Sequence, residues 1–137
     1  MAAVNVLRTE TMLPIQFTCA DGTGIEKGTL LKMIDPDTVA ASDGDTDIIA
    51  GIAAEEKVAN DGKTKIAVYT RGIFIGTAGA AGVTAGSAII SDSSTGSVNE
   101  LVNADVNSEN IVGRSHETAT DLQTFVFELH PFTVKLA

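Results

Sequence analysis

Apolar and polar residues alternate along most of this chain with a period of two. In MLPIQFTCA, residues 12–20, Ile15 and Phe17 fall on one side and Gln16 and Thr18 on the other. That is the pattern of a strand with one buried face. TLLKMID, residues 29–35, is a short apolar strand stopped by the turn Asp35-Pro36-Asp37. KTKIAVYTRGIFIG, residues 63–76, puts Ile66, Val68 and Thr70 on one face and allows a bend or bulge at Gly72. It continues as Ile73-Phe74-Ile75, a run expected to be buried on both faces. SAIISD, residues 87–92, is another short buried strand, and TFVFEL places Phe125, Phe127 and Leu129 on one face. The clusters ADGTG, ASDGDTD, NDGK and SDSSTG separate these runs as turns. Helical periodicity is nearly absent. Residues 52–59, IAAEEKVA, have room for two helical turns between Gly51 and Gly62, and AGAAGVTAG at 78–86 is too rich in glycine to hold a helix. The expectation is a mainly β chain, a small sandwich or barrel.

The strands come in two similar sets. GIEKGTLLKMIDPD from Gly24 matches GVTAGSAIISDSST from Gly82 at an offset of 58. DTDIIAGIA at 45–53 matches NSENIVGRS at 107–115 at an offset of 62, which places four extra residues of the second copy in the loop SDSSTGSVNELVNADV. An alternating strand follows each copy. Two such halves predict one pseudo-symmetric β-barrel or β-tulip. One glycine of the pair Gly24/Gly28, and one of Gly82/Gly86, should take a positive φ in a tight connection. Gly51 and Gly113, inside strands, point to close backbone approach.

Composition narrows the function classes. The 137 residues suit one domain large enough to bury a core without metal or disulfide. Cys19 is the only cysteine, which excludes an intrachain bridge. Net charge is −9 without any Lys/Arg cluster, so direct nucleic-acid binding is not expected. No apolar stretch reaches the length of a membrane-spanning helix, and MAAVNVLRTET lacks the basic region and apolar run of a signal peptide. No membrane partner is expected, and synthesis in a cytoplasm is.

Candidate chemistry is sparse. His116 stands between Ser115 and Glu117, but neighbours on a strand point to opposite faces and cannot form a relay by themselves. His130 reads as a strand-end residue. Asp43, Asp45 and Asp47 alternate as at the start of an EF-hand loop, yet the glycine falls at Gly44 and the twelfth position is Ala54, so they are weak metal candidates. The glycine-rich residues 76–86 lack the Gly-Lys-Ser/Thr ending of a phosphate loop. Lys32 invites comparison with a biotinyl or lipoyl carrier domain, but it lies within a strand and not at a hairpin tip. No catalytic residue and no cofactor is expected. Residues 1–13 precede the first clear strand as an N-terminal arm to a domain spanning 14–137. Its apolar residues Val4, Val6, Leu7, Met12 and Leu13 are candidate partner contacts, laid on another protein as a strand or in a groove.

The ordered segments GIEKGTLLKM, IIAGIAAEE, KIAVYTRGIFIG, GVTAGSAIISD, NIVGRSHETA and FVFELHP resemble the capsid decoration, or cement, proteins of tailed bacteriophages. The resemblance covers about residues 14–130. It implies a β-rich barrel or tulip that performs no reaction, is assembled in the host cytoplasm and sits on the capsid exterior of the virion. The implied partners are the major capsid protein and the chain itself, as a homotrimer. The implied task is to clamp the shell against the pressure of packed DNA. A tail or baseplate β-module is the alternative.

Overall fold

The computed structural model describes residues 5–44, 47–92, 99–105 and 108–133. Eleven strands follow one another: β1 (Val6–Thr9), β2 (Ile15–Thr18), β3 (Leu30–Asp35), β4 (Thr38–Ala41), β5 (Ile49–Ala53), β6 (Lys65–Tyr69), β7 (Gly72–Ala78), β8 (Ala88–Ser91), β9 (Glu100–Asn103), β10 (Asn110–Ser115) and β11 (Thr124–Thr133). There is no helix among the described residues. Where IAAEEKVA offered two helical turns, Ile52 and Ala53 end β5 and Lys57 bridges back to Ile25.

The duplication governs the topology. In the first half β2 pairs parallel with β4 and antiparallel with β6, and the order β2-β4-β3-β5-β6 closes into a barrel. In the second half β7 pairs parallel with β9 and antiparallel with β11, which closes the same circuit through β8 and β10. The bridge Ile25–Lys57 recurs as Val83–Ala119, at the offsets 58 and 62 of the sequence repeat. The expected pseudo-symmetry is therefore present, with each half closing on itself: the molecule is a pair of five-stranded barrels.

The two barrels share one core. Leu30, Ile49 and Ile52 of the first half join Phe74, Leu101, Val112, Phe125, Phe127 and Leu129 of the second in one buried cluster, while Leu31, Val39, Ala50, Ala53, Ile66 and Val68 fill the first barrel. All five residues of β5 are buried. Ile49 and Ile52 face the second half and Ala50 and Ala53 the first barrel, so this strand belongs to both cores. The face Phe125–Phe127–Leu129 is buried as its alternation demands, and Phe127 stacks on Phe74 at 5.9 Å between ring centroids. Ile73 and Ile75 are only half-buried, because β7 turns a single face, that of Phe74, fully inward.

Glycine has a backbone reason at two kinds of position. Gly28 and Gly86 take φ of 90° and 85° at equivalent turns, and Gly82 is also positive at 75°. At Gly51 a Cβ would collide with the carbonyl oxygen of Tyr69, and at Gly113 with that of Glu128. These are equivalent places where neighbouring strands approach too closely for any side chain.

The first residues are not a free arm throughout. Val6–Thr9 pair antiparallel with β7 of the same chain, Leu7 packs against the shared core, and Asn5 is buried with its amide donating to Gly28 O. The physical reason is an edge: β7 extends beyond β9, and β1 supplies the partner its outer half would lack.

Candidate partner-binding surface

The side chains singled out for chemistry are put to structural use. Ser115 is buried and its hydroxyl donates to Glu117 O at 2.5 Å, while His116 lies on the opposite, exposed face. His116 Nε2 is 3.5 Å from Glu128 Oε1, a carboxylate shared with Arg114 at 3.9 Å. Arg114 and Glu128, with His130 and Phe132, line a shallow groove that also borders Gly86 and Ala88 ahead of and in β8; His116 is not part of its lining. Among the described residues its lining holds no Ser, Thr, Cys or Lys.

Asp47 braces its own loop. One of its oxygens accepts from Ser42 Oγ at 3.0 Å, Asp43 N at 2.8 Å and Gly44 N at 3.1 Å. Burial works against this carboxylate, but the Asp43 amide and Ser42 hydroxyl outweigh it and hold the pKa below the ordinary value. Asp43 pairs with Lys32 Nζ at 3.1 Å, and Asp45 lies outside the described residues. Among the described residues no group of three or more His, Cys, Asp or Glu is arranged to hold a metal ion. Lys32 stands within β3, as its position in the sequence indicates, and not at a tip.

Sequence reasoning missed Lys57. Its ammonium is buried and donates to Asp61 Oδ1 at 2.7 Å, Val58 O at 2.7 Å, Asp21 Oδ1 at 3.0 Å and Asp21 O at 3.1 Å. Burial opposes the charge; the two carboxylates outweigh it and raise the lysine pKa, and Lys57 in turn lowers that of Asp61. This clip ties the loop after β2 to the loop before β6. The signal was present in the repeat, since Lys57 corresponds to Ala119, a buried position, and the turns ADG and NDG each supply one aspartate.

Strand polarity then separates the two ends of the first barrel. β2 runs antiparallel to β6, with Ile15 opposite Val68, so β2 begins where β6 ends. By the same reasoning β5 and β4 begin at that end and β3 finishes there. The Lys57 clip closes the opposite end. Ten large apolar side chains are exposed among the described residues, and six of them, Met12, Leu13, Ile15, Met33, Ile34 and Ile48, gather at the end away from the clip. A gathering of exposed apolar side chains makes this end the candidate surface. Of the sequence-nominated contacts, Met12 and Leu13 belong to it, Val6 is exposed on β1, Leu7 is half-buried against the shared core, and Val4 lies outside the described residues. Met33, Ile34 and Ile48 were legible only by comparing the halves, where the counterparts are Ser91, Asp92 and Asn110.

No protein-family model matches the sequence, and no curated protein matches it. Among solved structures the chain is similar to the N base of head fiber gp8.5 of bacteriophage phi29, with a TM-score of 0.55 and 18% sequence identity over 91% of this chain and 100% of that one. At that identity the likeness is one of fold: the pair of β-barrels matches the whole of a base already solved.

Proposed function

We propose that this chain is a structural protein of a phage head, carried on the outside of the assembled shell and performing no reaction. The observation that carries this reading is the whole-length likeness to the base of a phage head fiber. The body supports it. Its chemistry-bearing residues are spent on loops and ion pairs, and its exposed apolar residues collect at one end of the first barrel. In this reading the partner is the major capsid protein, the chain acts as a homotrimer, and the bound copies stiffen the shell against internal pressure. Many modest contacts on a repeating lattice give high avidity.

The test is direct. Purified chain mixed with undecorated heads of the parent phage should add density to the outer surface in electron micrographs, and decorated heads should release DNA at a higher temperature than bare ones. Bare surfaces at saturating protein would sink the proposal. Light scattering on the free protein decides the trimer separately.

A further inference from the structure

We propose that the uncovered edge of β2 accepts an extended segment of the shell protein as an added strand. This rests on the head-protein reading and names the surface that would do the binding. The chain contains its own reference for the claim. β2 and β7 are equivalent strands: Ile15 lies opposite Val68 as Phe74 lies opposite Phe127. The outer half of β7 is covered by β1, with Val6 opposite Ile75 and Leu7 opposite Phe74. β2 has on that side one pairing, Thr18 with Thr38 at its far end. Cys19 N–H donates to Thr64 O and Thr18 N–H to Asp37 O, so successive residues address opposite sides. By that alternation Gln16 turns its N–H and C=O away from β6, to a side where no strand among the described residues pairs with it. The cost of leaving it open is visible in burial: Phe74 is 1% exposed, and its counterpart Ile15 is 43% exposed.

The kind of occupant follows from the counterpart. The equivalent edge takes a short, antiparallel, extended strand that directs one apolar residue, Leu7, toward the core. An added segment of the same form would lay its side chains on Met12, Leu13 and Ile34 at the apolar end. A different protein fits better than a second copy. β1, the strand a second copy would have to offer, is already fixed in its own chain through Asn5 and Leu7. Glu10, which accepts from the Tyr69 hydroxyl where β6 ends, and Asp35 and Asp37 at the β3–β4 turn put carboxylates at this end, which favours a segment carrying Lys or Arg. Pro14, without an N–H, limits the addition to a few residues and guards the edge against indiscriminate pairing.

The experiment uses the full chain and undecorated heads of the parent phage. Leu13→Asp and Ile34→Asp should each weaken head binding by about tenfold or more, while Leu122→Asp, an exposed apolar residue in the loop before β11, should bind as the parent chain does. All three should keep the parent far-ultraviolet spectrum. Independently of any variant, hydrogen exchange in a peptide spanning residues 12–18 should slow on head binding. Normal binding by both aspartate variants, or unchanged exchange in bound protein, overturns the strand addition alone. A change in the free protein's oligomeric state caused by Leu13→Asp assigns the edge to a second copy and also overturns it. Failure of the parent chain to bind heads removes the function reading and this inference together.

Discussion

Two glycines, one leucine and one buried lysine show how much depends on single residues here. Gly51→Ala or Gly113→Ala would drive a methyl group into a neighbouring carbonyl oxygen. Each should destabilise by about 2–3 kcal/mol, read as a drop in thermal midpoint that Gly44→Ala, where a Cβ meets nothing within 4 Å, does not cause. Leu122 holds φ of 65° at the position where the first half has Asn60 at 62°. Left-handed backbone suits Asn and strains Leu, so Leu122→Asn should stabilise by about 0.5–1 kcal/mol in denaturant titration. The Lys57 clip predicts a pH dependence. Asp61 has a folded pKa below its ordinary 3.8 because Lys57 donates to it. A depressed carboxylate contributes stability that is present above the ordinary pKa and fades as pH falls through the folded one. Asp61→Asn should therefore lower the midpoint at neutral pH and flatten its decline as pH falls below the ordinary carboxylate pKa of 3.8. A variant with an unchanged acid limb would show that the clip carries no linkage.

At the scale of elements, the positions of most strands were legible because alternation and turn residues speak locally. Ile15/Phe17, the Asp35-Pro36-Asp37 stop and the face Phe125–Phe127–Leu129 needed no knowledge of their neighbours. β1 was not legible. VNVLRT has only a weak alternation, and what makes it a strand is the bare outer half of β7, some 65 residues away in sequence. Its docking changes the expected result of shortening the chain. Removal of residues 1–9 takes Leu7 from the core and uncovers Phe74, at a cost of about 2–4 kcal/mol. The shortened chain should fold with a lower midpoint, and binding assays on it must be run well below that temperature. An unchanged midpoint would mean that β1 adds nothing to the body. The candidate surface was half legible. Met12 and Leu13 stood out as apolar residues ahead of a strand. Met33, Ile34 and Ile48 did not, because apolar residues in or beside strands read as core until the polar counterparts in the other half are set beside them.

For the whole molecule, the repeat indicates two pseudo-symmetric halves and predicts one barrel built from both, whereas each half closes its own ring; sequence similarity does not say whether halves share strands or only side chains. They share side chains, through β5. A strand buried on both faces cannot leave one barrel without opening the other. Calorimetry should accordingly record one transition whose van't Hoff and calorimetric enthalpies agree, at roughly 80–100 kcal/mol for a chain of this length. Two resolved transitions would refute the common core.

The place of β1 also sets an order of assembly. It is synthesised ahead of the other described strands, yet its partner β7 belongs to a ring that closes only with β11, the last of them. Strands β2 to β6 can close as soon as Tyr69 has emerged, while β1 waits for β11 before its seat exists. Until then β1 has no partner strand, and pulse proteolysis of stalled chains should cut between Val6 and Pro14 at every length short of Thr133.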